Sequence, residues 1–242
     1  MKIAIISDVH SNLYAMETVV SYINNNKIEF TISVGDLLGY ACYPEEVYKE
    51  LIKLKHISII GNHDAGVIGT TSIDLFNYAA KKAINWTKKR ISKELKEYLS
   101  SLKYKEIYNE FTVVHGTFIY PEKWHYLLNI REAENQLRYL DTRIGIVGHS
   151  HIPFILEIDK NNSIKKIESN EYILKKDRRY ILNPGSVGQP RDRDPRLSFM
   201  IFNEDTHLLK LVRLKYPHEK MAEDIKKAGL PEFLGNRLLY GT

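Results

Sequence analysis

The sequence predicts an α/β protein arranged as a four-layer α-β-β-α sandwich, with two packed mixed β-sheets flanked by helices. Through the first 150 residues, short apolar runs alternate with longer segments whose apolar residues recur at helical spacing. From Pro153 onward, short apolar runs are separated by turn residues such as Asp159–Asn162. The alternation favours a parallel or mixed sheet covered on both faces, and the later run of strands favours a second, mostly antiparallel sheet.

The first half opens with the apolar run Lys2–Ser7, which predicts a buried strand. Asn12–Asn24 carries apolar side chains on one helical stripe. Pro44–Leu54 begins with proline followed by two glutamates, which is typical of a helix start. The remaining predicted elements of this half are strands at Phe30–Val34, Ile57–Ile60, Phe111–Val114 and Ile144–Val147, and helices in two pieces within Ser72–Leu102 and around Ile130–Leu140.

The second half predicts mostly strands, and it ends in a helix at His218–Ala228 followed by a polar tail. The sequence contains no repeat, low-complexity stretch or linker. It therefore predicts one domain over residues 1–242, with the C-terminal helix and tail at about 217–242. The predicted strands are Phe154–Ile158, Ile164–Ile167, Glu171–Leu174, Tyr180–Leu182, Leu197–Phe202 and Leu208–Leu214.

Composition excludes several classes of protein. The hydrophobic content of 43% and charged content of 27% are typical of a globular protein. Cys42 is the only cysteine, which excludes an intramolecular disulfide. The apolar run Lys2–Ser7 is too short to be expected to act as a signal peptide, and no apolar run approaches the ~18 residues of a membrane span. These observations predict a cytoplasmic protein with no membrane partner, and the net charge of +5 mildly favours anionic ligands.

Metal-ligand side chains follow five of the apolar runs. Because the carboxyl ends of parallel strands meet at one edge of a sheet, we expect these side chains to converge there. Two of the segments place ligands two residues apart, which on an extended backbone directs both side chains the same way. Glycine in these segments allows the backbone to pack closely beneath an ion. The segments are Asp8-Val9-His10, Gly35-Asp36, Gly61-Asn62-His63-Asp64, His115-Gly116 and Gly148-His149-Ser150-His151.

The candidate ligands are imidazoles, carboxylates and an amide, without thiolate. This set suits manganese, iron, zinc, nickel or cobalt and is wrong for a thiolate-rich structural zinc site. The candidates exceed what one ion needs, so the sequence favours two divalent cations that share Asp36 as a bridge. The two aspartates cancel only part of that positive charge, and the remaining field suits an anionic phosphoester. The candidates are Asp8, His10, Asp36, Asn62, His115, His149 and His151.

These residues resemble the motifs of the calcineurin-like metallophosphoesterases: Asp-x-His, Gly-Asp, Gly-Asn-His-Asp, His and Gly-His-x-His. All five occur in order, and the resemblance spans roughly Met1 to Arg196. The segment Asn183–Arg191 is similar to the smaller bacterial and archaeal members. The resemblance implies two metals, with manganese favoured in vitro, and His63 as the proton donor beside the bound phosphate. It places Asp8, His10, Asp36 and His151 on one metal, and Asp36, Asn62, His115 and His149 on the other.

Two metals about 3.5–4 Å apart can hold a bridging hydroxide that attacks phosphorus. His63 is then the natural general acid, a role that requires its protonated form and that a nearby carboxylate would favour. Asp64 is an alternative structural carboxylate. The phosphoprotein phosphatases place an aspartate and an arginine after Gly-Asp, whereas Leu37–Tyr40 has neither. This difference disfavours protein phosphatase activity and leaves the residue that orients His63 unidentified.

Several residues are candidates for substrate contact. Arg191 follows the Pro/Gly loop and can donate two hydrogen bonds to a phosphate. Asn12 is either a phosphate contact or the N-cap of the following helix. Arg193 and Arg196 are expected to brace the loop with Asp192 and Asp194. Four aromatic residues either line a pocket for a base or aromatic leaving group or pack elsewhere: Tyr40, Phe76, Trp124 and Tyr126.

The leading hypothesis is a metal-dependent phosphoesterase that acts on a small phosphodiester or a nucleotide-type phosphate, as a monomer or homodimer. The alternatives are a phosphomonoesterase, a nuclease, or a non-catalytic scaffold of the same fold. Scaffold members tend to lose the histidine at position 63, which is present here. The basic clusters Lys88–Arg90 and Lys175–Arg179 lack interleaved aromatic residues, which disfavours nucleic acid as a partner.

Overall fold

The computed structural model describes residues 1–242. It contains twelve strands and eight α-helices, with short 3₁₀ turns at Pro121–Lys123 and Leu137–Tyr139. The strands are β1 Lys2–Ile6, β2 Phe30–Ser33, β3 His56–Ser58, β4 Lys105–Tyr108, β5 Phe111–Val114, β6 Ile144–Ile146, β7 Phe154–Ile158, β8 Ile164–Lys166, β9 Glu171–Ile173, β10 Arg179–Asn183, β11 Leu197–Asn203 and β12 Leu208–Leu214. The helices are α1 Leu13–Asn25, α2 Pro44–Ile52, α3 Asn62–Ile68, α4 Tyr78–Lys88, α5 Lys93–Ser101, α6 Ile130–Gln136, α7 His218–Lys227 and α8 Glu232–Tyr240.

Two six-stranded sheets form the centre of the molecule. Their strand orders are β3-β2-β1-β11-β12-β9 and β4-β5-β6-β10-β7-β8. Each sheet mixes parallel and antiparallel pairs, since β1 pairs parallel with β2 and antiparallel with β11. The predicted architecture of two mixed sheets flanked by helices is therefore confirmed.

The predicted division of strands between the sheets was wrong. The strands after Pro153 do not form a sheet of their own. β7, β8 and β10 join β4–β6, and β9, β11 and β12 join β1–β3. The pairing that decides this is long-range: β10 lies parallel to β6, and β11 lies antiparallel to β1. A period-two apolar pattern predicts a strand but does not identify its neighbour.

The core has layers on both sides of each sheet, and β1 shows why. Ile3 and Ile5 point into the layer between the two sheets, where Phe111 and Phe202 also lie. Ala4 and Ile6 point the opposite way, into the layer beneath the helices. Both faces of β1 are buried, so the strand is apolar throughout instead of alternating. Burying each large apolar side chain contributes about 1.5–3 kcal/mol.

Three elements were not predicted from the sequence. β4 is a half-polar edge strand paired only with β5. α3 begins at the ligand motif itself, at Asn62. α8 occupies the predicted polar tail, and it buries Leu234 and Leu238 in a cluster shared with Tyr40 and with α7. None of the helices combines the length and the hydropathy that crossing a membrane would need.

A partly buried carboxylate ties α7 to the first half of the chain. Asp224 accepts hydrogen bonds from the hydroxyls of Tyr14 at 2.7 Å and Tyr43 at 2.8 Å. The bond from Tyr14 lowers the pKa of Asp224, burial opposes it, and the bond from Tyr43 adds to the lowering. A depressed folded-state pKa stabilises the protein above the unfolded value, near pH 4, and this contribution is lost as the pH falls through the folded value.

Asp224→Asn is therefore expected to lower the free energy of unfolding by about 1–2 kcal/mol at pH 7. The difference from the wild type should shrink towards pH 3, because the stabilisation from a depressed carboxyl pKa declines once the pH is below the unfolded value near 4. Urea unfolding at both pH values measures this effect. Asp177→Asn is the control, because the Asp177 side chain is 74% exposed. A deficit that persists unchanged at pH 3 would show that packing, and not charge, is responsible.

Candidate metal centre

The candidate ligands converge where the carboxyl ends of parallel strands from both sheets meet. Asp8 and Asp36 follow the parallel strands β1 and β2 of one sheet. His115 and His149 follow the parallel strands β5 and β6 of the other. The sequence predicted convergence on the edge of a single sheet. The structure corrects this, because each sheet supplies about half of the cluster.

The backbone that carries the ligands is left-handed and not extended as predicted. Asp8 and His10 have φ values of +54° and +50°, and His149 and His151 have +65° and +61°. Asp36 shares this conformation, at +52°. Non-glycine residues rarely adopt it, and it concentrates at functional sites because the surrounding structure must offset its cost. The close pairing of ligands therefore comes from tight turns beyond the strand ends.

Glycines allow these turns to pack against one another, as predicted. A Cβ at Gly35 would lie 2.8 Å from the backbone nitrogen of Gly61, and a Cβ at Gly61 would overlap the carboxylate of Asp36. Since real Cβ atoms do not approach so closely, neither position accommodates another residue without movement of the cluster.

Three histidines have one ring nitrogen fixed by the backbone. The Nδ1 atoms of His10, His115 and His151 lie 3.1, 2.7 and 2.6 Å from the carbonyl oxygens of Leu38, Val34 and Gln189. Each Nδ1 therefore carries a proton that it donates to the carbonyl. The lone pair of each neutral ring is then on Nε2, which faces the centre of the cluster. A backbone acceptor behind the ring is the usual support of a metal-ligating histidine.

The atoms that face inward are all electron-pair donors. Nε2 of His10 lies 3.1 Å from Nε2 of His151. Oδ1 of Asp8 lies 3.2 Å from Nε2 of His151, and it has no hydrogen-bond partner although it is buried. An unpartnered buried carboxylate oxygen is costly, so the group that belongs opposite it is a cation. This donor chemistry fits divalent transition-metal ions.

Asp36 lies between two groups of candidate ligands. Its Oδ2 is 3.6 Å from Nε2 of His10 and 3.3 Å from Nε2 of His115. Nε2 of His115 is also 3.1 Å from Oδ1 of Asn62. Three sets of residues bring their donor atoms within 4.8 Å of one another: Asp8, His10 and His151; His10, Asp36 and His63; and Asp36, His115 and His149.

The ionisation states follow from burial and mutual charge. Burial alone would raise the pKa of Asp36, but His115 and His63 outweigh it and hold that pKa well below its usual range. Burial lowers the pKa of His10, and it lowers that of His149 to about 3. Burial also opposes protonation of His115, but the charge of Asp36 raises its pKa to about 9. The cluster therefore pairs ionised carboxylates with mostly neutral imidazoles, which are the forms that bind metals.

Asp64 is the structural carboxylate that the sequence offered as an alternative role. It is fully buried and accepts hydrogen bonds from the backbone nitrogens of Leu37, Leu38 and Gly61, at 3.2, 2.9 and 3.1 Å. Burial, followed by the charge of Asp36, raises the pKa of Asp64 to about 7. It ties the turn after β2 to the start of α3, and so holds Asp36 and Asn62 at a fixed spacing.

His63 is oriented by residues that the sequence predicted only as substrate or pocket contacts. Its Nε2 lies 3.1 Å from the hydroxyl of Tyr40, to which Arg191 donates at 3.3 Å, and Phe76 packs edge-on against the ring. Burial lowers the pKa of His63 to about 4 against the charge of Asp36, and Arg191 acts in the same direction as burial. A nearby carboxylate, Asp36, does favour the protonated form of His63 as expected, but burial outweighs it in the free protein.

Of the other predicted substrate contacts, Asn12 is the N-cap and not a surface residue. It is fully buried, its Oδ1 accepts from the nitrogen of Ala15, and its Nδ2 donates to the carbonyl of Gly188 at 2.8 Å. No polar atom of this side chain is left for a phosphate, so the predicted contact is corrected. Arg191 does line the cleft beside the ligands, and its Nε is buried without a partner.

The loop that follows Arg191 is braced differently from the prediction. Arg196 pairs with Asp194 at 2.6 Å, as expected. Asp192, however, pairs with Arg213 of β12, and the backbone nitrogen of Arg193 donates to the carbonyl of Gly241. The end of α8 and strand β12 therefore hold the Arg191 loop in place.

A cleft of about 650 Å³ opens directly from the cluster. It is lined by all four aromatic residues that the sequence singled out. Tyr126 stacks on the ring of His149, with centroids 3.9 Å apart, and Trp124 donates a hydrogen bond to Thr71 on the facing loop. Leu75 at the rim is fully exposed. The cleft therefore combines polar groups at its base with apolar walls, as ligand sites do.

The fold and the ligand cluster together define a calcineurin-like phosphoesterase. The family model for the calcineurin-like phosphoesterase superfamily domain matches residues 1–207, and the chain belongs to this family. Membership implies hydrolysis of a phosphoric ester, and the family depends on metal ions. The residues clustered here are the candidate ligands in this chain.

Similar proteins come from bacteria and archaea. The uncharacterized protein MJ0912 of Methanocaldococcus jannaschii is 39% identical over 243 residues, which cover 99% of this chain and 98% of that protein. A metallophosphoesterase from Sphaerobacter thermophilus is 38% identical, with a TM-score of 0.87 over 100% of this chain and 99% of its own. The hypothetical protein PH1004 from Pyrococcus horikoshii shares the fold, with a TM-score of 0.81 at 20% identity over 100% of this chain and 98% of its own.

Proposed function

We propose that this protein is a phosphoesterase that uses two divalent cations, manganese foremost, to hydrolyse a small phosphodiester or a nucleotide-type phosphate. The observation that carries the proposal is the set of inward-facing donor atoms, in which Oδ2 of Asp36 lies within 3.6 Å of Nε2 of both His10 and His115. A carboxylate oxygen between two imidazole groups has the arrangement of a bridging ligand. The predicted split of seven ligands between two ions fits this geometry.

When bound, the cations would supply an activated water and neutralise charge on the phosphoryl oxygens. Asp8, His10, Asp36 and His151 would hold one cation, and Asp36, Asn62, His115 and His149 the other. The chain's own contribution is to keep these side chains in place before substrate arrives, through the backbone acceptors behind His10, His115 and His151. Such preorganisation lowers the barrier because nothing needs to reorganise during the reaction.

Arg191 and His63 would handle the substrate itself. The buried Nε of Arg191 has no partner, so an anionic oxygen in the cleft would satisfy it. His63 would donate a proton to the leaving oxygen. The negative charge of the bound phosphoester is what restores that proton, because a neighbouring anion favours imidazolium over imidazole. Tyr40 would keep the ring in register through its hydroxyl.

The cleft supports an ester with a planar organic group. Phe76, Trp124 and Tyr126 all line the cleft. Phe76 packs edge-on against His63, and Tyr126 stacks on His149, so aromatic surface borders the site itself. Trp124 has a left-handed φ of +58°, a costly conformation for a large residue. Aromatic walls favour flat ligands such as nucleobases. A nucleotide-type substrate is therefore preferred over an alkyl phosphate.

Hydrolysis of bis-p-nitrophenyl phosphate, compared with p-nitrophenyl phosphate, tests the proposed function. The protein is stripped of metal and then given manganese, nickel, magnesium or zinc. We expect turnover of the diester only when metal is restored. Preference for the monoester would make the protein a phosphomonoesterase. Stoichiometric metal binding without turnover of either ester would favour the scaffold function instead.

Tyr40→Phe tests the positioning of His63. Removing the hydroxyl deletes its contact with the His63 ring, so kcat should fall about tenfold. It also deletes the bond that Arg191 donates, but Gln189 still accepts from Arg191, so KM should change less than about twofold. Tyr48→Phe is the matched control, because Tyr48 is also buried with one hydroxyl contact, to Glu94 far from the cleft. A rise in KM with kcat unchanged would instead assign Tyr40 to substrate binding.

A further inference from the structure

Helix α4 carries an uncompensated positive charge next to the cleft. Residues 75–93 contain six cations and no acidic residue. Lys93 pairs with Glu97, but none of the other five lies within 4.0 Å of a carboxylate. Salt bridges are common elsewhere on this surface, so the lack of partners on α4 is a local property. The five unpaired cations are Lys81, Lys82, Lys88, Lys89 and Arg90.

Four of these cations line a groove between α4 and the connection from α7 to α8. The groove has a volume of about 620 Å³, and its far wall is formed by Gly229, Leu230 and Pro231. The acid nearest in sequence to that wall, Glu232, is already paired with Lys226. The groove therefore offers positive charge without an internal counter-ion. The cations that line it are Lys81, Lys82, Lys89 and Arg90.

Aromatic rings lie among these cations. Tyr78 is 71% exposed, and the ammonium of Lys82 lies 5.5 Å from the centre of its ring. Trp86 is held by a hydrogen bond from its indole nitrogen to the carbonyl of Ala228. The guanidinium of Arg90 stacks on Trp86 at 3.9 Å, and its one hydrogen bond goes to the carbonyl of the same residue.

In the linear sequence, the basic run Lys88–Arg90 has no aromatic residue interleaved. In the folded protein, Tyr78 lies beside Lys82, one turn further along α4, and Trp86 lies beside Arg90 in the turn that follows the helix. Aromatic rings therefore do lie among the cations on this surface, although they are not adjacent to them in sequence.

We propose that this groove, the α4 groove, binds single-stranded nucleic acid. A basic groove that follows a phosphate backbone, with aromatic rings on which bases stack, is the common form of a single-strand site. A duplex hides its base faces, so the rings favour a single strand. The exposed amide of Asn85 adds a hydrogen-bonding group within the groove.

The groove and the cleft share the first turn of α4. Asn77 and Ala80 line the cleft, whereas Tyr78 and Lys81 line the groove. The helix is about 16 Å long, so a strand of a few nucleotides bound along it reaches the cleft. This part rests on the proposed function, which identifies a phosphodiester as the reacting bond. If both proposals hold, the substrate is an oligonucleotide, and α4 binds the part of the strand that lies outside the reacting centre.

Fluorescence anisotropy of a labelled twelve-residue oligothymidylate, with the manganese-loaded full-length protein, tests the binding. The integrity of the oligonucleotide is checked on a gel after each titration. We expect saturable binding at 50 mM NaCl, and a slope of log affinity against log salt of about −3, because each contacted phosphate contributes about −0.7 for a single strand. No binding at low salt would overturn the proposal.

Charge-reversal pairs separate a specific surface from net charge. Lys82→Glu with Lys89→Glu should weaken binding at least about tenfold, because both cations line the α4 groove. Lys160→Glu with Lys176→Glu is the matched control, since both lysines are exposed, lack a carboxylate partner and lie outside the groove. It should change affinity less than about threefold. Equal losses in both pairs would overturn the assignment to α4.

Tyr78→Ala separates nucleic acid from other polyanions. We expect about tenfold weaker binding of oligothymidylate and unchanged binding of heparin, which has no base to stack. A different result is that the protein binds phosphatidylserine vesicles through Lys82 and Lys89 and fails to bind oligothymidylate. That result would assign the surface to a membrane. Hydrolysis of bis-p-nitrophenyl phosphate should be the same in all these variants. If the wild type itself did not hydrolyse this ester but still bound oligothymidylate, the proposed function would be overturned while the α4 groove would stand as a binding site.

Discussion

His63→Ala is expected to retain bound metal and to lower turnover by about 10²–10⁴-fold, the usual contribution of a positioned general acid. The backbone nitrogen of His63 donates to Oδ1 of Asp36 at 2.8 Å, and this bond survives the substitution. The ring removed contacts Tyr40 and Phe76, which are not candidate ligands, and it packs edge-on against His10, which is one. His10 remains held by the contact between its Nδ1 and the carbonyl of Leu38. Metal content measured by atomic emission should therefore match the wild type while the rate falls.

The dependence on the leaving group identifies the role of the lost ring. A general acid matters most when the departing oxygen is a poor leaving group, so the deficit of His63→Ala should grow with the pKa of the phenol or alcohol released. Rates for a series of aryl esters measure this slope. His56→Ala is the matched control, because His56 also meets a tyrosine hydroxyl, that of Tyr98 at 3.1 Å, outside the site. A uniform deficit across the series would mean that His63 binds substrate without transferring a proton.

The side chains of the site were easier to predict from the sequence than the backbone that presents them. Asp8, His10, Asp36, His115 and His151 follow apolar runs, and parallel strands bring their ends together whatever the details of the turns. The left-handed φ values were not predictable, because aspartate and histidine adopt that conformation only when tertiary contacts offset its cost. The extended geometry expected for Asp8 and His10 failed for this reason.

The role of Tyr40 in orienting His63 does not follow from the family pattern. Leu37–Tyr40 lacks the aspartate and arginine of the phosphoprotein phosphatases, and a tyrosine hydroxyl takes up the contact to the ring instead. Tyr40 directly follows Gly39, whose φ of +151° allows the turn to pass close to the rings of His10 and His63. In the sequence, a glycine between a ligand motif and an aromatic residue is therefore the pattern that indicates a ring packed against the ligands.

Long-range pairing limited the prediction of the fold. The apolar pattern located most strands to within a residue or two, yet β10 and β11 joined different sheets for reasons that lie in their partners, β6 and β1. α8 was not predicted because its buried face consists of only three residues, Leu234, Gly235 and Leu238, in a nine-residue helix. Such elements gain most of their stability from tertiary packing, which a local pattern does not contain.

Asp36→Asn is expected to lower turnover at least about 10³-fold and to lower the metal content from two ions to one or none. The amide has the shape of the carboxylate and can still accept the hydrogen bond from the backbone of His63. It places either a neutral oxygen or an N–H donor at Oδ2, opposite Nε2 of His10 and His115. Both the negative charge and the shared lone pairs between the two ligand groups are thereby lost.

Thermal unfolding distinguishes loss of metal from loss of chemistry alone. A ligand that binds only the folded state at 100 times its dissociation constant stabilises it by about 2.7 kcal/mol. Manganese should therefore raise the Tm of the wild type and of His63→Ala, but raise that of Asp36→Asn little or not at all. Asp74→Asn, an exposed residue outside the cluster, is the control and should respond as the wild type does. If Asp36→Asn kept two ions and the full metal-induced shift in Tm, Asp36 would not be the bridge. The cluster would then bind its ions independently, and the role of Asp36 would be confined to holding the backbone of His63.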